Sequence, residues 1–151
     1  NISGKELVRR FWEATCRGGY AGHGETFMHP EGKLWWSHGG VLHGESPERF
    51  KFLSKILNEI PGYGLKPIKT QWDEVAATGE STFSKGEYFL YYYGFTRPSF
   101  REYHYDDQYE YDVDVIDTWD MTIENKGRFK GKFTVNMPGK EYIAIRIQKV
   151  T

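Results

Sequence analysis

Cysteine, net charge and long apolar runs are all scarce in this sequence of 151 residues. The one cysteine, Cys16, excludes a disulfide framework and a multi-cysteine zinc site, and we predict that it is a small buried residue. The formal net charge of -1 offers no attraction to nucleic acid or to a membrane surface. No apolar run approaches the roughly 18 to 20 residues that a membrane helix needs.

Aromatic residues, by contrast, make up 17% of the sequence, and residues 20–45 are its richest polar and aromatic stretch: YAGHGETFMHPEGKLWWSHGGVLHGE. This stretch holds four of the five histidines and two of the five tryptophans, and it has almost no apolar periodicity. Its glycines allow a loop to shape itself around a ligand. The composition therefore predicts a binding site here.

A first amphipathic helix is predicted over residues 3–17. Ser3 and Glu6 have the Ser-x-x-Glu spacing of a capping box, in which each side chain satisfies a free backbone donor of the other residue. Gly18 follows the last turn, where glycine adopts the required conformation at little cost.

A short strand and a second helix are predicted to follow. Residues 20–27 are expected to form a short buried strand, whose small residues let neighbouring strands or a ligand approach. Ser46 is expected to cap a helix over residues 46–60, with Pro47 in its first turn. The order helix, strand, loop, helix is a piece of an alternating α/β architecture.

The second half of the chain changes to a period of two. Residues 63–80 are predicted to be a connector, because they are rich in proline and glycine. Residues 81–151 are predicted to form an antiparallel β-sandwich of about six strands. The predicted strands are residues 87–95, 100–106, 109–117, 119–124, 128–137 and 141–150, with turns that include Asn125-Lys126-Gly127.

The first half, residues 1–62, lacks a sheet of its own to cover. Its helices could pack on the sandwich, could dimerise through exposed apolar faces, or could belong to the tail of a longer protein. The third interpretation fits best with a sequence that opens on Asn1 rather than on methionine.

Four stretches of the sequence resemble the C-terminal portion of bacterial glycoside hydrolases that combine an N-terminal β-domain, a (β/α)8 barrel and a small C-terminal β-sandwich. They are ELVRRFWEATCRGGYAGHGETF, LWWSHGGVLHGESP, VDVIDTWDMTI and PGKEYIAIRI. The resemblance spans essentially the whole chain. It implies that residues 3–17 are the seventh barrel helix, residues 20–27 the eighth strand and residues 46–60 the last helix.

The same resemblance implies that the catalytic pair lies outside this chain. Glycosidases of the related retaining clan carry their two catalytic glutamates at the ends of the fourth and seventh barrel strands, and both would precede Asn1. This chain alone would then be inactive, and the complete protein is expected to be secreted or periplasmic.

Under this resemblance, residues 20–45 form one wall of a sugar-binding cleft. Carboxylates and imidazoles can hydrogen-bond to vicinal diols, and an indole face can stack on a pyranose, although either tryptophan could instead be buried. The expected substrate-binding residues are His23, Glu25, His29, Trp35, Trp36, His43 and Glu45. Glu25 is also the one candidate catalytic carboxylate. An open loop, however, has no evident way to hold it about 5 to 5.5 Å from Glu45, as a retaining mechanism requires.

Three further interpretations concern other groups. The histidines, with Glu25, contain enough ligands for zinc but lack a fixed two-ligand spacing, so no metal and no cofactor is predicted. Asp117, Thr118 and Trp119 are predicted to form a structural turn. The tyrosines could form an exposed sugar platform, although burial against the barrel is preferred. These tyrosines are Tyr88, Tyr91, Tyr92, Tyr93, Tyr103, Tyr105, Tyr109 and Tyr111.

Together these arguments predict an α+β chain, with a helix-strand-helix remnant of a (β/α)8 barrel followed by an antiparallel β-sandwich. The expected function is a C-terminal fragment of a carbohydrate-active hydrolase, whose partners are an oligo- or polysaccharide and the upstream barrel. The alternative is a non-catalytic β-sandwich module with a helical extension, which binds carbohydrate or another protein.

Overall fold

The computed structural model describes residues 2–22, 24–25, 30–31, 43–62, 64–79 and 86–150. Within these residues there are two helices and eight strands. The helices are α1 (Gly4–Cys16) and α2 (Ser46–Asn58). The strands are β1 (Leu65–Ile68), β2 (Val75–Gly79), β3 (Tyr88–Tyr92), β4 (Phe100–His104), β5 (Tyr111–Asp117), β6 (Thr122–Phe129), β7 (Lys132–Asn136) and β8 (Ile143–Lys149).

The strands form two antiparallel sheets. Six of them pair in the order β1-β2-β3-β8-β5-β6, and β4 pairs with β7 in a separate two-stranded sheet. The α+β class and the antiparallel pairing are therefore as the sequence predicted. The two-stranded sheet covers one face of the larger sheet and the helices cover the other, so the molecule has three layers.

The predicted connector, residues 63–80, contains β1 and β2, which lengthen the large sheet by two strands. Prolines and glycines had suggested a linker there. Pro67 lies in β1 at the edge of the sheet, where a missing backbone donor is tolerated.

The turn predicted at Asn125-Lys126-Gly127 is wrong, because these residues lie inside β6. The pairing shifts from Val113 opposite Gly127 to Asp114 opposite Asn125, so Lys126 is the extra residue of a β-bulge. Gly127 has a φ of +97°, which only glycine adopts easily. The same turn-forming residues thus bend an edge strand instead of ending it.

The apolar stripes of both helices face the large sheet. Trp12 is fully buried, and its ring lies 5.5 Å from that of Tyr92 on β3. Cys16 is also buried, as predicted, and this burial raises the pKa of its thiol to about 12. The expectation that these stripes would be open for dimerisation is therefore not met, since the sheet covers them.

A buried ion pair fixes α2 to this face of the sheet. Arg146 on β8 donates to Asp114 on the neighbouring β5 at 2.9 Å, and it also reaches Glu59 at the end of α2 at 2.6 Å. The side chains of Arg146 and Asp114 are both almost fully buried. Asp114, which alternates with apolar residues along β5, therefore faces the helices rather than solvent.

Tyrosines fill the opposite interface, between the large sheet and the β4–β7 sheet. The hydroxyl groups of Tyr93 and Tyr103 lie 2.7 Å apart, and those of Tyr91 and Tyr105 lie 2.5 Å apart. An exposed tyrosine platform is therefore not formed, because these rings pack between the layers of the chain itself. Tyr93, Tyr103 and Tyr111 are buried in this interface, whereas Tyr88 and Tyr92 are buried on the other face, against the helices.

Candidate functional site

The two helices lie side by side and parallel. At one end, a Cβ atom placed on Gly4 would lie 3.2 Å from the Cβ of Glu45. In the middle, the rings of Phe11 and Phe50 stack with centroids 4.0 Å apart. At the other end, Thr15 and Leu57 line one shared cleft. The N-termini of α1 and α2 therefore meet at the same end of the helical layer.

The chain returns along the full length of α1 before α2 begins. Gly19 donates to Ala14 at the C-terminal end of α1, whereas Glu25 contacts the N-terminal end beside Gly4. The 13 residues of α1 span about 20 Å. Between Gly19 and Glu25 the chain therefore returns from the C-terminal end of α1 to its N-terminal end.

The predicted strand over residues 20–27 is not observed among its described residues, 20–22 and 24–25, which belong to no strand. No described strand pairs with them, and a strand assignment requires a partner. The Tyr20 side chain is fully exposed. The rest of the predicted strand lies outside the described residues.

Glu25 binds the start of α2. Its Oε1 accepts a hydrogen bond from the backbone N–H of Glu45, and its Oε2 accepts one from the backbone N–H of Ser46, both at 2.9 Å. The carboxylate is buried, with 7% of the residue exposed. A carboxylate in this position satisfies free helix donors and favours the positive end of the helix dipole.

This contact corrects the predicted cap of α2. Glu45, rather than Ser46, occupies the N-cap position, and its own side chain makes no capping hydrogen bond. Ser46 is the first helical residue and is fully buried. The capping role passes to Glu25, which is distant in the sequence. Pro47 lies in the first turn, as predicted.

Two glycines make room for the Glu25 carboxylate. Gly44 has a φ of +99°, and a Cβ atom at this position would clash with the carboxylate. A Cβ atom on Gly4 would lie 2.8 Å from Oε1 of Glu25. The carboxylate is thus clamped between the starts of both helices. Because residues 25 and 44 are in contact, the two ends of the intervening stretch are anchored at one point.

The structure places three of the predicted substrate-binding residues at this end. Glu45 is exposed, His43 is half-buried, and Glu25 is the buried clamp. The geometry of Glu25 is that of a positioning group, since both of its oxygens bind backbone amides. The other four, His23, His29, Trp35 and Trp36, lie outside the described residues.

A turn of the β region packs against the same end. Asp117 accepts from the N–H groups of Trp119 and Asp120 at 3.0 and 2.8 Å, and Thr118 donates its hydroxyl proton to the Tyr142 carbonyl at 2.7 Å. The predicted structural turn is therefore confirmed.

The ring of Trp119 in this turn contacts both helices. The Arg49 guanidinium of α2 lies 4.0 Å from the centre of the ring, and the Lys5 ammonium of α1 lies 5.4 Å from it. Arg49 also donates to the Trp119 carbonyl at 3.0 Å. These contacts fix the helix N-termini relative to the sheet.

No group of three or more His, Cys, Asp or Glu side chains suited to a metal ion occurs in the described ranges of the chain. Three of the histidines considered for the zinc hypothesis, His23, His29 and His38, fall outside these ranges. The chemical role of the described arrangement is structural. The buried Glu25 carboxylate, packed against Gly4 and Gly44, fixes the two points at which the histidine- and tryptophan-rich stretch begins and ends.

Solved structures resemble this chain over nearly its whole length. A protein from Bacteroides vulgatus ATCC 8482, described as a putative glycoside hydrolase, shares 24% sequence identity at a TM-score of 0.82, and the match covers 99% of this chain and 33% of that one. A glycoside hydrolase family 5 structure from the same organism shares 14% identity at a TM-score of 0.65, with coverages of 96% and 36%. These matches show a common fold, and this chain spans about a third of each protein.

A third structure, described as a glycoside hydrolase, has a TM-score of 0.67 and 13% identity over 97% of this chain and 37% of its own. No curated protein matches the sequence. Neither described helix is long and apolar enough to cross a membrane. The sequence model of the family "Domain of unknown function (DUF5605)" matches residues 72–148, about half of the chain. This protein therefore belongs to the DUF5605 family.

Proposed function

We propose that this chain is the C-terminal part of a carbohydrate-active hydrolase, in which it supplies one wall of the sugar-binding cleft and an accessory β region that packs on the catalytic barrel. The observation that carries the proposal is the structural match over 99% of this chain to a protein described as a glycoside hydrolase, of which it covers 33%. The match therefore includes both the helices and the sheets of this chain.

The helical layer has the geometry expected of the last units of a (β/α)8 barrel. In such a barrel, successive helices are parallel, and each is followed by an extended segment that returns to the end where the next loop and helix begin. The parallel helices α1 and α2, and the return of the chain between Gly19 and Glu25, support this assignment. Residues 20–27 would be the eighth strand, placed between the seventh strand and the first.

This assignment also suggests where substrate would bind. In (β/α)8 enzymes the active site lies at the end of the barrel where strands run out into loops and helices begin. Glu25 and the N-termini of both helices mark that end here. Residues 26–42, which include His29, Trp35 and Trp36, follow Glu25 directly in the sequence, and His43 and Glu45 lie beside the start of α2.

Within this cleft, Glu25 would act as a positioning residue and the other predicted side chains would contact sugar. The clamp keeps the ends of the loop fixed, which lowers the entropy that would be lost when substrate binds. The catalytic glutamates would come from the part of the protein that precedes Asn1, as the resemblance implies.

The proposal is tested by assaying the longer protein that contains this chain against chromogenic aryl glycosides and soluble polysaccharides. Hydrolysis is expected from the longer protein and not from the 151 residues alone. Trp35→Ala and Trp36→Ala should be compared with Phe100→Ala, a change at an exposed ring on β4 of the two-stranded sheet. At least one of the first two should raise KM by roughly tenfold, the loss expected when a central aromatic contact is truncated.

Absence of hydrolysis across the panel, or identical kinetics for all three variants, would contradict the proposal. A correctly folded longer protein must be verified by circular dichroism in each case, so that a loss of activity is assigned to the site.

The second candidate is a non-catalytic module that binds carbohydrate or another protein. It is favoured by one observation: the apolar stripes of both helices are covered by the sheet of this chain. The first candidate is preferred because the helix-on-sheet arrangement is matched in full by a protein described as a glycoside hydrolase. Hydrolysis by the longer protein separates the two, since only the first predicts it.

A further inference from the structure

Trp72 is the most exposed tryptophan in the described part of the chain, with 92% of the residue exposed. It lies at the tip of the loop between β1 and β2, residues 69–74. Tyr20 is equally exposed, but it belongs to the segment that we assign to a barrel strand. Trp72 lies on the hairpin of β1 and β2, whose strands are paired within this chain.

The loop that carries Trp72 is held in place from both sides. The Thr70 hydroxyl donates to the Glu74 carboxylate, and Asp73 forms an ion pair with Arg101 on β4. The Thr96 hydroxyl also donates to the Asp73 carbonyl at 3.1 Å. A fixed loop presents the indole without the entropic cost of ordering it on binding.

A cleft of about 190 Å³ opens beside the indole. This is smaller than the roughly 300 to 1,000 Å³ of sites for drug-sized ligands, so it suits a single sugar ring. Charged groups from two elements meet at its wall, the Asp73 carboxylate of the loop and the Arg17 guanidinium at the end of α1. The cleft is lined by Trp72, Phe95, Glu13, Arg17, Asp73 and Thr96, among others.

These groups fit a carbohydrate better than a protein partner. Carboxylate, guanidinium and hydroxyl groups can bond to sugar hydroxyls, and a flat indole face suits the apolar face of a pyranose. The side chains flanking the indole in the loop and at the end of α1, Lys69, Gln71 and Arg17, are exposed and polar. The centre of a protein interface is depleted in charged residues, whereas Glu13, Arg17 and Asp73 line this cleft beside the exposed rings of Trp72 and Phe95.

We propose that the cleft between Trp72 and the last turn of α1 is a binding subsite for one pyranose residue of a polysaccharide, with the Trp72 indole as its stacking face. The inference rests on the proposed function for the class of ligand. Glu13 and Arg17 belong to the C-terminal end of α1, so the subsite lies about 20 Å, one helix length, from Glu25.

The subsite is tested by native affinity electrophoresis of the 151-residue chain in gels that contain arabinoxylan, galactomannan or xyloglucan. The unchanged protein should be retarded by at least one of them. Trp72→Ala should weaken that retardation by roughly tenfold or more, and Trp72→Phe should retain most of it because a flat ring remains. Phe100→Ala, which removes another exposed ring outside the cleft, is the matched control.

Absence of retardation by all three polysaccharides, or equal retardation of Trp72→Ala and Phe100→Ala, would overturn the inference. Because no hydrolysis is measured, the result is separate from that of the proposed function. Binding that depends on Trp72 in a protein whose longer form hydrolyses nothing would support the subsite and reject the hydrolase.

Discussion

The helical region, residues 2–62, and the β region, residues 64–150, complete their backbone hydrogen bonding in different ways. All eight strands of the β region have an antiparallel partner within the region itself. The helical region contains two parallel helices, and the described residues of the return segment between them, 20–22 and 24–25, belong to no strand. Parallel helices require such a return segment, whereas antiparallel strands need only a turn.

This difference shows which part of the chain depends on neighbours. The β region specifies its sheets, its bulge and its tyrosine interface with its own residues. The helical region buries its apolar stripes on that sheet. Its described residues 20–22 and 24–25 belong to no strand. The region with the proposed sugar cleft is thus the one whose helices depend on the sheet of the other region.

Among the predicted effects on the stability of the protein, that of alkaline pH should be the largest, and it acts on tyrosines of the β region. Burial raises the pKa of Tyr88, Tyr92, Tyr93, Tyr103 and Tyr105 above the value near 10 of a free tyrosine. The folded state therefore holds these protons more tightly than the unfolded state. The resulting stability is complete below about pH 10 and falls as the pH rises further.

We expect the chain to unfold above about pH 10, with the buried tyrosines ionising only as it unfolds. Absorbance at 295 nm and far-ultraviolet circular dichroism, recorded over the same titration, should change together. Complete tyrosine ionisation near pH 10 with the folded spectrum retained would contradict the buried interface.

Trp12→Ala should have the next largest effect, because it acts on the contact between the two regions. Truncating a fully buried tryptophan costs about 3 to 5 kcal/mol of the free energy of unfolding. Urea denaturation measures this loss, and the control Phe100→Ala should lie within about 0.5 kcal/mol of the unchanged protein. If the helical region were independent of the sheet, Trp12→Ala would leave the unfolding of the β region unchanged.

Arg146→Met should destabilise the protein by about 3 kcal/mol, because it leaves the buried Asp114 carboxylate without its cation. The double variant Arg146→Met with Asp114→Leu should recover much of that loss, since both charges are then removed. Thermal denaturation of the two variants checks the expectation. A double variant that is less stable than Arg146→Met would show that the ion pair is not the cause.

Glu25→Ala should lower the free energy of unfolding by about 1 to 2 kcal/mol, the range for a lost helix cap. The destabilisation should be confined to the helical region. Hydrogen exchange measures it through the amides of Glu45 and Ser46, which should exchange faster while those of β5 and β8 do not change. Glu48→Ala, at an exposed acid in the same first turn, is the control. Unchanged exchange at both amides would contradict the clamp.

Local signals predicted much of the fold correctly. Ser3 accepts a hydrogen bond from Glu6 at the start of α1, and the alternation along β5 and β8 fits the two core faces. The number of strands was missed because β1 and β2 have only four and five residues and follow a stretch with Pro61, Gly62 and Gly64, which suggested a linker. The turn signal at Gly127 failed because a bulge and a turn both use a positive φ, and only pairing with β5 distinguishes them.

The clamp at Glu25 had no comparable signal in the sequence. Composition indicated a site in residues 20–45, but the role of Glu25 depends on its contact with amides 20 residues later in the chain. The one local indication was Gly44 before the start of α2, because a glycine allows another group, here the Glu25 carboxylate, to approach the backbone closely. Sequence patterns describe periodicity within an element more readily than a contact between distant loops.

The central claim, that this chain is the last part of a carbohydrate-active hydrolase, is tested most directly by sequencing the coding DNA upstream of Asn1. The account predicts an open reading frame that continues upstream and encodes the first seven strands and six helices of the barrel, with a glutamate at the end of the fourth strand and another at the end of the seventh. A start codon immediately before Asn1, or an upstream domain of another architecture, would contradict it.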